Sequence, residues 1–232
     1  MFKNLHNAEW TVLALIATLT VTGLALSYLN HDWFRDYYVV EDGLIEWLTV
    51  VGLVIGLCVC IRRIWVLRHS RAGIFLTMTT LLAVFFFFGA GEEISWGQRI
   101  FNIESSGFFK ENNAQGEMNL HNSVVSGIKI NKLVFGRGLA IMMLLYLAVF
   151  IPVYRKMPEF RNVVDKFAIP IATNYQVLMY LLVIVVTQVL MVSSKKGEML
   201  EFAGVYVFLL NVVFPDNKQI FRAADNPKKF YD

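Results

Sequence analysis

Glu92 and Glu93 close an uncharged apolar run, Ala72 to Gly91, and open the string GEEISWGQR, in which Glu92, Ser95, Trp96 and Arg99 follow at helical spacing. A carboxylate beside hydrocarbon is costly unless it meets a cation, a proton or a metal ion, so the pair reads as a functional site. The alternative is an ordinary solvated helix end. The carboxyl end of a helix carries partial negative charge and disfavours a carboxylate placed there. Either the helix continues through Arg99, which supplies an internal cation, or a metal ion or proton intervenes. Arg99 is then a structural partner of the acids, or it binds an anionic group of a substrate such as phosphate or carboxylate.

A second acidic group, Tyr37, Tyr38, Glu41, Asp42, Glu46 and Trp47, precedes another apolar run. Glu41 and Asp42 suit a helix amino terminus, and the aromatics suit a headgroup zone. Glu46 lies one turn deeper and, on a helix, shares a face with Asp42, so the two charges repel unless one is neutralised. His121 follows in the string QGEMNLHN beside Asn119 and Asn122, and His31 with Asp32 forms a lesser pair. These residues suggest two versions of one chemistry. In the first, Asp42, Glu46, Glu92 and His121 hold a divalent metal ion that activates water against an ester, amide or phosphoester. The second is metal-free, with Glu92, Glu93 and His121 as the acid/base groups. Trp96, Gln98, Arg99, Asn119 and Asn122 would contact the substrate, and in the metal-free version Arg99 would stabilise developing negative charge. The spacing from Glu117 to His121 is not the Glu-x-x-His of di-iron bundles, and no His-Glu-x-x-His occurs.

The elements that must position these groups are helices. Of 232 residues 56% are apolar and 17% charged, and the apolar ones gather in blocks, the profile of an all-α, polytopic membrane protein. About 20 residues cross a hydrocarbon core, which gives six spans, near 10–29, 44–61, 72–91, 138–154, 168–192 and 199–215. The sixth could instead be re-entrant, since only Phe202 to Pro215 is free of charge. Lys3 ahead of the first run and Ala25-Leu26-Ser27 near its end resemble a signal peptide, but the run is longer than a signal core. With no repeat and no long linker, residues 1–232 read as one transmembrane domain. The connectors Arg62 to Arg71 and Arg155 to Lys166 hold four cations each, which puts them, and both chain ends, in the cytoplasm. The acids and the long segment between spans 3 and 4 then lie outside, where one or two short amphipathic helices are expected on the membrane surface. The net charge of +3 follows this sidedness and does not point to nucleic acid. Cys58 and Cys60 point in different directions on a helix and should not pair.

Three strings, EDGLIEWLT from Glu41, GEEISWGQRIF from Gly91 and NAQGEMNLHN from Asn113, together resemble an uncharacterised family of bacterial multispan membrane proteins. That resemblance implies a multi-pass protein of the bacterial inner membrane and brings no established activity. Tyr37-Tyr38-Val39-Val40-Glu41-Asp42 is similar, more distantly, to the acid that follows a Tyr-rich stretch in alkaline ceramidase-type membrane hydrolases. Those enzymes build a zinc site on three histidines. Here only His31 and His121 fall on the outer side, with His6 and His69 inside, so the likeness implies lipid-directed hydrolysis and transfers no catalytic residue. The expected function is a hydrolase or transferase, metal-assisted or not, acting on a lipid or lipid-linked substrate. The alternatives are a non-enzymatic assembly or accessory protein, and a transporter. The uncharged centres of the six apolar segments count against the last.

Overall fold

The computed structural model describes residues 6–120, 122–125, 128–129 and 139–223, and within these the side chains of Arg99, Val125, Ile128, Lys129, Leu139 and Ala140 are left aside. Among the described residues the regular structure is helical apart from a hairpin of two-residue strands, Val124–Val125 and Ile128–Lys129. Its long helices are α1 (Asn7–Leu29), α2 (Leu44–Leu67) and α3 (Gly73–Glu93). A second set follows: α4 (Ile141–Lys156), α5 (Pro158–Lys166), α6 (Asn174–Leu190) and α7 (Lys196–Val213). Helices α1, α2 and α3 are long and apolar enough to cross a membrane, and α4 with α5 makes a fourth if the pair, bent by 113°, counts as one. Their outer faces carry exposed Ile61, Trp65, Leu81, Val84, Phe85 and Phe87. So continuous an apolar surface is suited to lipid and not to water.

Helix α7 is the hub of the bundle. Met199, Phe202, Ala203, Tyr206, Val207, Leu209, Leu210, Asn211 and Val212 are all buried along it. It packs on α1, α2 and α6. Small residues on α2 permit the close approach: a Cβ on Gly52 would lie 3.0 Å from Val205, and one on Gly56 would lie 2.5 Å from the ring of Phe86 on α3. The opposite end of the bundle is locked by polar side chains. The Tyr146 hydroxyl donates to Pro170 O at 2.8 Å and accepts from Ala172 N and from Asn211 Nδ2, each at 3.0 Å. The Gln176 amide donates to Leu210 O and Phe214 O.

Two expectations about the elements change, and a third stays open. The stretch expected to cross from 168 to 192 is helical only from Asn174, because Pro170 and the Thr173 cap fix the helix start, and Thr173 accepts from Gln176 N. At 1.5 Å per residue the 17 residues of α6 reach about 26 Å, short of a full hydrocarbon core. The sixth segment, expected to be the least secure as a crossing, is helix α7; it is not among the helices long and apolar enough to cross, and half of its residues are buried in the bundle. Helix α3 does not continue through Arg99: Ser95, Trp96 and Gly97 have φ of 47°, 54° and 78°, a left-handed run that no α-helix passes through. The long segment after α3 holds the short helices Gln98–Phe101 and Gly107–Asn112.

Candidate functional site: an acidic pocket at one end of the bundle

The site sits where α2 begins, α3 ends and α7 begins. Glu46 lies in the first turn of α2, whose amino terminus follows Gly43. Asp42 stands outside the helix at φ 58°, and its backbone N–H donates to Glu46 Oε2 at 2.7 Å. The expected repulsion between two acids on one helix face therefore does not arise; Glu46 turns back on its own amino terminus, where N–H groups await an acceptor.

Glu92 is buried, and both of its oxygens accept. Trp96 Nε1 donates to Oε1 at 2.8 Å, and the backbone N–H of Leu120 donates to Oε2 at 2.6 Å. The left-handed turn makes this geometry possible, because it swings the indole back over the end of α3 against Phe87, Phe88 and the bare Cα of Gly91. A Cβ on Gly91 would lie 2.8 Å from the indole ring.

The segment after α3 folds over this end as a hydrogen-bonded roof. Ser95 Oγ donates to Glu117 Oε2 at 2.5 Å, and Asn119 Nδ2 donates to Ser95 Oγ at 2.8 Å and to Glu117 at 3.0 Å. Asn113 Nδ2 donates to the backbone and side-chain oxygens of Asn119, while its own Oδ1 accepts from Gln115 N and Glu117 N. Gln98 accepts from Met118 N at 2.7 Å and donates to Ser105 Oγ. At the rim, Asn122 Nδ2 donates to Gln115 Oε1 at 2.6 Å, and Gln115 donates in turn to Glu41.

Beneath the roof is a pocket lined by Glu41, Glu46, Glu92, Glu93, Gln115, Glu117, Asn119, Asn122 and Glu198. Six of the nine are carboxylates, and no Lys or Arg lines it among the described residues. Its free space holds no more than a few water-sized particles. Glu93, Glu198, Glu201 and Glu46 are electrostatic neighbours although they come from three helices. Glu198 stands in the first turn of α7, ahead of the apolar stretch that starts at Phe202. Burial, then the charges of Glu46 and Glu41, push its carboxyl up to about 7, against a partial relief from Lys195.

Of the residues named from sequence, Glu41, Glu46, Glu92, Glu93, Asn119 and Asn122 line this pocket. Gln98 and Asn119 are tied into the roof, and Trp96 is tied to Glu92. Asp42 is not part of the lining, since its left-handed turn takes it off the helix face of Glu46. His121 and the Arg99 side chain lie outside what is described. Among the described residues no three His, Cys, Asp or Glu side chains stand in a metal-holding group. His31 and its neighbour lie elsewhere; Asp32 and Asp36 both pair with exposed Arg35.

Sequence reasoning missed Gln115, Glu117 and Glu198 as lining residues, and Glu201 as their neighbour. The signal available was the spacing of Glu198 and Glu201, which puts both acids on one side of the helix that opens the last apolar block.

No protein-family model, no curated protein and no solved structure matches the chain. The fold and pocket define a helical protein with three helices able to cross a bilayer and a carboxylate-lined site at one end of its bundle.

Proposed function

We propose that this chain is a multi-pass membrane protein, with six apolar segments in the bacterial inner membrane and both ends cytoplasmic, that hydrolyses or transfers a group on a lipid or lipid-linked substrate in its acidic pocket. The observation that carries the reading is the convergence of six carboxylates, from the turn before α2, from α2, α3 and α7, and from the roof, on one small pocket. A helix-locking role would need the acids paired off one by one. Here Glu93 and Glu198 face a shared space instead, the arrangement in which one carboxyl keeps its proton while another is charged.

In hydrolysis, the charged carboxylate takes a proton from water as the water oxygen bonds to the substrate's carbonyl carbon or phosphorus. The protonated carboxyl gives its proton to the leaving oxygen as that bond breaks. Glu198, held near 7, suits the acid role at neutral pH. Glu92 is a positioning residue, fixed by Trp96 and Leu120, and it holds the roof to the end of α3. Exposed Trp47, Trp96 and Phe101 at this end are suited to the headgroup zone, where a lipid substrate presents its polar part.

Incubation of the purified protein in nanodiscs with a total lipid extract, followed by lipid mass spectrometry, tests the reading. One lipid class should fall and its product rise, and Glu93→Gln and Glu198→Gln should slow that conversion by about 10²-fold or more while thermal unfolding stays cooperative. An unchanged lipid profile with the wild-type protein would remove the enzymatic reading.

A further inference from the structure

The interior of the bundle holds two polar atoms that the contacts between helices leave over. The Tyr180 hydroxyl on α6 and the Asn211 side-chain oxygen on α7 are shut off from solvent, in residues 3% and 1% exposed, and neither meets a hydrogen-bond partner among the described residues. Counting protons fixes what their neighbours can do. Pro170 O can only accept, so the Tyr146 hydroxyl gives its one proton there, and its lone pairs take Ala172 N–H and Asn211 Nδ2. Asn211 must therefore turn its amide nitrogen to Tyr146 and its oxygen away, and Tyr146, with every position filled, has nothing left for Tyr180. What remains is one surplus hydroxyl donor and one surplus carbonyl acceptor.

The helices bring these two together. Gln176 on α6 donates to Leu210 O at 3.0 Å and to Phe214 O at 3.1 Å, Tyr180 lies one turn further along the same face, and Asn211 adjoins Leu210. A helical side chain leans towards its own amino end, so the Tyr180 phenol points back to that level, where Tyr146 is its electrostatic neighbour. We propose that a single water molecule is held at this joint of α4, α6 and α7, accepting from Tyr180 Oη and donating to Asn211 Oδ1. An apolar occupant would leave both atoms unsatisfied, each at the cost of a buried polar group without a partner. A metal cation is the wrong chemistry, because it needs a shell of oxygens, and Asn211 Nδ2 and Ala172 N–H at this joint are donors. Water offers an acceptor and a donor in one small particle. The joint belongs to the end of the bundle opposite the acidic pocket, so it does not depend on the reaction proposed there.

Hydroxyl-radical footprinting of the full chain in nanodiscs tests this, because radicals formed from a buried bound water oxidise the side chain beside it. Tyr206, similarly buried but with its hydroxyl donating to Leu48 O at 3.0 Å, is the internal control. Tyr180 should be oxidised about fivefold faster than Tyr206 or more, and Asn211→Leu, which removes the acceptor, should bring it down to the rate of Tyr206. Should that variant unfold, an experimental structure of the wild-type chain at about 2 Å gives the second measurement, with a density peak expected within about 2.6–3.2 Å of both Tyr180 Oη and Asn211 Oδ1. Equal oxidation of the two tyrosines in the wild-type chain overturns the proposal. So does a direct bond between Tyr180 Oη and Asn211 Oδ1 with no peak between them.

Discussion

Trp96 shows how a single residue can couple backbone strain to a charged group. Its left-handed backbone, at φ 54°, is held because the indole N–H reaches Glu92 and the ring fills the space that Gly91 leaves. A hydrogen bond to a buried carboxylate contributes about 1.5–3 kcal/mol, so Trp96→Phe, which keeps the ring and drops the donor, should destabilise the protein by about that much in chemical or thermal unfolding. A loss below about 0.5 kcal/mol would mean that the indole N–H is not what fixes Glu92. Glu198 yields a pH prediction at the same scale. Its folded value lies near 7, above the ordinary carboxylate value of 4.5. Below 4.5 the group is neutral in both folded and unfolded chains and its contribution to stability is fully present. As the pH rises the unfolded chain gives up its proton first, and the contribution is lost as the pH passes through about 7. Unfolding temperature measured from pH 4 to pH 8 should fall across that window, and Glu198→Gln should flatten the fall. An unaltered slope in the variant would place the titration elsewhere.

At the scale of elements, the contact between α2 and α3 is set by absent side chains. With a Cβ on Gly56 only 2.5 Å from Phe86, Gly56→Ala should push the helices apart at a cost of about 1–3 kcal/mol, read as a lower unfolding temperature in detergent. The pocket should suffer too, because Glu46 and Glu93 ride on those two helices. Gly73→Ala, where a Cβ would meet nothing within 4 Å, is the control and should be neutral. Helices α1, α2 and α3 were legible in the sequence, since an apolar run of about 20 residues leaves few alternatives. The start of α6 was not, because periodicity cannot weigh Pro170 and the Thr173 cap against the apolar residues around them. The stop of α3 was hidden for another reason: Ser95 and Trp96 carry no mark of left-handed backbone, and only Gly97 hinted at it. Glu92, Glu93 and Glu46 could be picked out because each interrupts an apolar context. Glu198 and Glu201 also show their i, i+3 spacing in the sequence, but the weight of that spacing depends on α7 being surrounded by the other helices.

For the whole molecule, charge is unevenly spread between the two ends of the bundle, although Arg35, Lys110 and Lys195 stand with the acids of the first and Asp165 and Asp216 with the cations of the second. The pocket end gathers Glu41, Glu46, Glu92, Glu93, Glu117 and Glu198. The other end gathers Arg63, stacked on Phe221 at 3.9 Å, Arg71, bonded to the carbonyls of Gln219 and Arg222, and Arg155, paired with Asp216 at 3.6 Å. Cations retained in the cytoplasm during insertion give such a division, whereas acids contribute little to orientation. The acidic end therefore needs a reason of its own to be acidic, and the reaction site proposed above supplies one. The orientation this requires can be measured with single cysteines in a background of Cys58→Ala and Cys60→Ala. Lys110→Cys, on the exposed roof side, should react with a membrane-impermeant maleimide added to intact cells, whereas Lys218→Cys, exposed at the opposite end, should react only after the membrane is opened. The reverse pattern would put the pocket in the cytoplasm, and an outer-leaflet substrate could then no longer reach it; labelling of both sites in intact cells would mean that the two ends lie on the same side and that the count of crossings is wrong.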